Sequence, residues 1–149
     1  MSDSVEIKPL KRRDLAALRL IARVYFPTEA WLTVEYLEEL ERRSVVAYTI
    51  RWGERLVGGA IITADKHPNY WLDFMVIDRN VGRRGLGEQL FLAAERELES
   101  GVMLWHAAPD TKAFASTKKF MTKMGMEARG SLRGWFGRND AAVYAKRIR

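Results

Sequence analysis

The sequence contains no cysteine. Disulfides, thiolate zinc sites and a cysteine nucleophile are therefore excluded, and nothing points to an oxidising compartment. Long hydrophobic runs are also missing: none approaches the ~18 residues of a membrane span. Met1-Ser2-Asp3-Ser4 lacks the apolar core of a signal peptide. No membrane segment is expected, and a cytoplasmic location is. Internal repeats, linkers and low-complexity tracts are absent. Blocks of one charge are scarce too; the densest basic groups are Lys11-Arg12-Arg13 and Lys146-Arg147 with Arg149, which read as solvated surface.

What is present is a chain of 149 residues, 48% hydrophobic and 30% charged. That is the length of a single domain, 1–149, able to bury about two-thirds of its unfolded surface. The net charge of +6 favours anionic partners.

Period-2 and period-3.6 patterns alternate along the chain. Val5-Glu6-Ile7-Lys8 reads as a strand closed by Pro9. Asp14 is placed to cap a helix with Leu15, Leu18, Ala22 and Tyr25 on one face, ended by Pro27. Thr28 or Thr33 starts a second helix, with Val34, Leu37 and Leu40 inward. Ser44 to Ile50 and Leu56 to Ala64 form a hairpin across Arg51-Trp52-Gly53-Glu54. Gly58-Gly59 suggests a bulge or a close neighbour. His67-Pro68-Asn69 is a loop, and Trp71 to Ile77 is the next strand. A helix from Glu88 repeats Leu86, Leu90, Phe91, Ala94 and Leu98 at helical spacing, and Ser100-Gly101 ends it. Val102 to Ala107 is a buried-type strand. Asp110 caps a helix from Thr111 to Met124, and Gly125 stops it. Met126 to Phe136 and Ala141 to Ile148 close the chain as two strands.

The stretch between the fourth strand and the third helix carries the chemistry. Gly82-Arg83-Arg84-Gly85-Leu86-Gly87 leads directly into the helix. The first N–H groups of a helix have no internal acceptor and sit at its positive end. Glycines let a ligand approach the backbone, and arginines add fork-shaped donors. The natural guest is a phosphate or pyrophosphate. A Walker loop needs Lys and Ser or Thr after its last glycine, where this chain has Glu88-Gln89. A dinucleotide fingerprint spaces its glycines differently.

Arg84-Gly85-Leu86-Gly87 resembles the core of the Gln/Arg-x-x-Gly-x-Gly/Ala motif of the GNAT superfamily of N-acetyltransferases, with Gly82 where that family has Gln or Arg. The element order β-α-α-β-β-β-α-β-α-β-β is also the family's and covers nearly the whole chain. The resemblance implies an α/β (α+β) single-domain fold, with a central mixed, mostly antiparallel sheet of about seven strands and helices on both faces. It implies acetyl-CoA as co-substrate, with its pyrophosphate held by Gly82, Arg83, Arg84, Gly85, Leu86 and Gly87. It further implies that backbone groups of Met75 and Ile77 hold the pantetheine arm, which lies where the fourth and fifth strands splay. The reaction implied is direct attack of a primary amine on the thioester in a ternary complex, with no metal and no covalent enzyme intermediate.

Two residues suit proton transfer. Asp73 shares a strand face with Met75 and Ile77, and burial there would suit a general base. The structural alternative is an aspartate that pairs with an arginine or caps the backbone. His106, at the end of the fifth strand, is the second candidate, with a hydrogen-bonded structural histidine as its alternative. The family's general-acid Tyr position is occupied by Met121, which cannot donate a proton, and Phe114 stands where Asn is frequent. Ser116, Thr117 and Tyr144 are the remaining donors.

The sequence thus supports a CoA-dependent N-acetyltransferase, with a non-catalytic CoA-binding or structural protein as the alternative. Lys118-Lys119-Phe120-Met121 with Lys123 and Gly125 also resembles acetyltransferase-like proteins of tailed bacteriophages. Arg129, Arg133, Arg138 and Lys146 interleave with Trp135 and Phe136, a pattern that stacks on bases. Core aromatics alternating with exposed arginines explain it equally, so nucleic acid is not an expected partner. A homodimer is compatible with the sequence.

Overall fold

The structure is a computed structural model that describes residues 4–27, 29–81 and 85–149. Seven strands, β1 (Val5–Pro9), β2 (Ser44–Trp52), β3 (Arg55–Ala64), β4 (Asn69–Ile77), β5 (Met103–Pro109), β6 (Glu127–Phe136) and β7 (Asn139–Arg147), form one sheet in the order β1-β2-β3-β4-β5-β7-β6. The helices are α1 (Leu15–Arg23), α2 (Val34–Arg42), α3 (Leu86–Glu95) and α4 (Ala115–Lys123). β4 and β5 pair in parallel, while β1–β2, β2–β3, β5–β7 and β6–β7 pair antiparallel. This is the mixed α/β sheet expected from the element order.

The chain packs as two compact units. The first comprises Met1–Ala64 and Asp73–Glu97, and the second Asp65–Leu72 and Leu98–Arg149. β4 therefore contributes to both, changing unit between Leu72 and Asp73.

In the first unit, β3 is buried at every position from Val57 to Thr63, so both of its faces are covered. Leu18, Leu37, Ile61, Phe74 and Val76 belong to one apolar cluster. Leu18 is fully buried, and its methyls lie where a side chain at Gly59 would go. Gly59 is glycine because α1 sits on it. Gly58 would collide with the β4 backbone at Val76 O, and the β2–β3 register shifts beside it, between Ile50 and Arg51. Both readings of the glycine pair hold.

Several local expectations change. Thr33 caps α2 by accepting the Tyr36 N–H at 3.0 Å, while Thr28 lies outside the described residues. Asp14 does not cap α1. It reaches back to accept the Lys11 N–H at 2.9 Å, across a 3-10 turn at Arg12–Asp14, and pairs with Arg51 at 3.0 Å. Asn69 opens β4 rather than completing a loop. α3 begins at Leu86, two residues before Glu88.

In the second unit, Leu104 on β5 and Val143 and Ala145 on β7 are buried, as are Met121, Met124 and Met126. The helix expected over 111–124 is split into a 3-10 turn, Lys112–Phe114, and α4. Phe114 takes φ −110 and ψ 20, outside the helical region, and Ala113 is exposed.

Candidate active site

β4 is built by strict alternation. Leu72, Phe74 and Val76 are buried, and Asp73, Met75 and Ile77 share the other, half-buried face. The sequence-predicted base and the two expected pantetheine contacts are thus brought onto one strand face in the first unit.

The buried hydroxyl of Thr63, on β3, donates to Asp73 Oδ2. Tyr36, on α2, lies within electrostatic reach. Burial raises the pKa of its phenol, the negative charge of Asp73 pushes the same way, and Arg43 opposes both. Tyr36 ends a row of edge-to-face aromatics, Phe26–Trp31 and Trp31–Tyr36, each with ring centroids 5.3 Å apart. A carboxylate beside an aromatic wall suits an ammonium group or the amine it becomes.

At the end of β4, Ile77 O accepts the Tyr25 hydroxyl at 2.8 Å. Burial raises the Tyr25 pKa, while Arg79, 5.4 Å from the ring centroid, lowers it. Asp78, the next residue, accepts from Arg55 at 2.7 Å and from the Asn80 N–H at 2.9 Å. Its own N–H donates to Val57 O at 2.7 Å. The strand end that leads into the glycine turn is therefore fastened from three sides.

Gly82, Arg83 and Arg84 lie outside the described residues. Gly85 caps α3 with φ 71 and ψ 17, a left-handed conformation that glycine adopts without penalty. A Cβ built there would meet nothing within 4 Å, so the backbone angle demands the glycine, not crowding. The first described hydrogen bond of the helix runs from Gln89 N–H to Gly85 O at 3.0 Å. Leu86 and Gly87 precede that bond, and the helix itself offers their N–H groups no acceptor. Leu86, Leu90, Phe91 and Ala94 are buried, which fixes the axis of the helix.

The other predicted proton carrier, His106, is in the second unit. The β4–β5 pairing runs from Asn69–Met103 to Trp71–Trp105, and Trp71 and Trp105 stack at 6.0 Å. The next β4 carbonyl, Leu72 O, lies 2.8 Å from His106 Nδ1. A carbonyl only accepts, so Nδ1 carries the proton, and in the neutral ring Nε2 keeps its lone pair. The ring is densely surrounded although the residue keeps some accessible surface. Burial lowers its pKa, and the Leu72 bond raises it in part. The bond to Leu72 O fixes the tautomer of the neutral ring, an arrangement compatible with either of its expected roles.

Met121, at the family's general-acid position, is buried at 3% exposure. Ser116 is exposed. Tyr144 faces His106 across the β5–β7 ladder, and burial, then Asp110, raises its pKa. Three residues of the candidate site escaped the sequence: Tyr25, Tyr36 and Thr63. The signal for Tyr25 was its place on the inner face of a helix, since a buried phenol needs a partner. Among the described residues no cluster of His, Cys, Asp and Glu could hold a metal, and no helix is long and apolar enough to cross a membrane.

The same fold recurs in proteins of known structure. The ribosomal-protein-S18-alanine N-acetyltransferase of Escherichia coli is 22% identical, with a TM-score of 0.80 over 97% of this chain and 94% of that one. Ard1 of Thermoplasma volcanium is 14% identical, with a TM-score of 0.86 over 97% and 98%. The PaiA N-acetyltransferase of Thermoplasma acidophilum, in complex with coenzyme A, is 16% identical, with a TM-score of 0.74 over 97% and 99%. No curated protein matches the chain in sequence. The family model described as acetyltransferase (GNAT) matches residues 15–126, from the first residue of α1 to the start of the last hairpin. With the motif, the element order and the sheet in agreement, the chain belongs to the GNAT family of acetyltransferases.

Proposed function

We propose that this protein transfers an acetyl group from acetyl-CoA to a primary amine by direct attack. The observation that carries the reading is the left-handed Gly85 that opens α3 immediately after β4, where the family motif lies. The coenzyme A in the Thermoplasma acidophilum structure supports a CoA thioester as the donor. The pyrophosphate then meets the N–H groups at Leu86 and Gly87, and the pantetheine arm follows the half-buried face of β4 at Met75 and Ile77. Gly82, Arg83 and Arg84 complete the turn in this reading.

The acceptor arrives as an ammonium ion and must lose a proton before it can attack. Asp73, oriented by Thr63 and faced by the Tyr36 phenol, is the assigned base, directly or through a water. The amine nitrogen forms a bond to the thioester carbon, the C–S bond breaks, and the CoA thiolate takes up one proton. Placing two reactants side by side is the larger contribution. His106 Nε2 is a second proton acceptor. The Escherichia coli neighbour acts, by its name, on the alanine of a ribosomal protein, and an amine of that kind fits the carboxylate and aromatic row of the first unit.

Met121 favours a second reading, in which the protein binds CoA without turnover. It fills the family's proton-donor position with a buried thioether. One experiment separates the two. Calorimetry with CoA tests binding, and thiol release from acetyl-CoA across amines, peptides and antibiotics tests turnover. Binding with no thiol release from any acceptor selects the second reading, and absence of both rejects the functional link to the scaffold.

A further inference from the structure

The arginines and aromatics of the last hairpin had two explanations, and the structure removes one. If the aromatics belonged to the core, Trp135 would be covered. It is 59% exposed, and every residue from Glu127 to Trp135 is exposed. β6 ends the strand order and pairs only with β7.

The Trp135 segment is held in shape. The ladder runs to Leu132–Ala141 and resumes at Phe136–Asn139, so Arg133, Gly134 and Trp135 arch out opposite Asp140 alone. Gly134 takes φ +64. Its N–H donates to Asp140 Oδ1 at 2.8 Å, and its carbonyl accepts the Gly137 N–H at 3.0 Å. Arg133 and Trp135 therefore flank a pinned glycine, and Arg138 follows in the turn. Among the described residues, neither Arg133 nor Arg138 has an acidic partner, while Arg129 lies 3.5 Å from Glu127. Lys146 drops out of the set, because its Nζ donates to Met124 O at 2.8 Å.

We propose that the β6–β7 hairpin binds single-stranded nucleic acid, with phosphates at Arg129, Arg133 and Arg138 and a base stacked on Trp135. Guanidiniums engage phosphates bidentately, and an exposed indole offers a face that any base can cover. An acidic peptide would satisfy the arginines but has no use for the indole between them. The arch and the left-handed glycine also make β6 a poor template for an added peptide strand.

The test is fluorescence anisotropy of the full chain with a labelled unstructured RNA oligonucleotide and its DNA counterpart, at several salt concentrations. Three phosphate contacts predict a log–log salt slope of about −2, hence about 20-fold weaker binding between 50 and 200 mM salt. Trp135→Ala is expected to weaken binding about tenfold. Arg133→Ala with Arg138→Ala is expected to flatten the slope to about −0.7. Lys118→Ala with Lys119→Ala, exposed on α4, is expected to change neither. Thermal melts by circular dichroism verify that each variant is folded. Equal affinity of wild type and Trp135→Ala overturns the proposal. So does a slope carried by the lysine pair, or a polyglutamate competitor that displaces the oligonucleotide as well as unlabelled oligonucleotide does.

Discussion

The two compact units differ most in charge. By sequence, the first holds 14 basic and 14 acidic residues and is neutral, whereas the second holds 11 and 5 and carries the whole +6. Cations in the first unit are matched: Arg51 with Asp14 at 3.0 Å, Arg55 with Asp78 at 2.7 Å, and Arg42 with Glu39 at 2.9 Å. The exposed Arg42–Glu39 pair stabilises by no more than about 1 kcal/mol. In the second unit, α4 carries Lys118, Lys119 and Lys123 with no acidic residue. Net charge is thus a property of one unit, and long-range attraction of anions belongs to that unit.

The division of labour can be tested from the first unit outward. The largest effect is expected for Gly85→Val. A β-branched residue at φ +71 is strained and projects into the open space over the helix start. CoA binding by calorimetry should be lost, while oligonucleotide binding by the second unit is unchanged. Undiminished CoA binding would remove the phosphate site from the first unit. Next, Asp73→Asn should slow thiol release about 100-fold or more and leave CoA affinity intact. Equal rates would take Asp73 out of the mechanism.

Tyr25→Phe should cost about 1 kcal/mol by removing the hydrogen bond to Ile77 O. The melting temperature should then fall by roughly 3 °C; no change would show that the strand end does not depend on the Tyr25 bond. The smallest effect concerns pH and the second unit. The folded-state pKa of His106 is lowered from 6.5, so below that pH the unfolded chain binds the proton first. His106 therefore costs no stability above pH 6.5, and stability is lost as pH falls through the lowered value. Between pH 7 and 5 the wild-type melting temperature should drop more steeply than that of His106→Gln. Parallel curves would mean the ring is not held neutral.

Much of the fold was legible because it follows from local pattern. The period-2 run at Asp73, Met75 and Ile77 put three site residues on one face, and the structure keeps them there. Gly85 was legible as part of the glycine-rich turn before α3, and its left-handed conformation emerged only in the structure. Other features were not. Asp14 looks like a cap but bonds backward to Lys11 and across to Arg51, a partner 37 residues away. The run over 111–124 looks continuous, yet Phe114 leaves the helical region. Trp135 alternates like a core residue, and nothing covers it, because periodicity reports which face a side chain takes and not whether that face has a neighbour.

Spacing and glycine placement alone therefore determined the order of the elements, the faces of β4 and the turn that begins α3, since each depends on torsions and contacts within a few residues. Only the tertiary structure decided which polar group meets which: Thr63 with Asp73, Tyr25 with Ile77 O across 52 residues, and an indole left bare at the last turn. Those outcomes depend on chain segments that meet only after packing, and no local pattern encodes them.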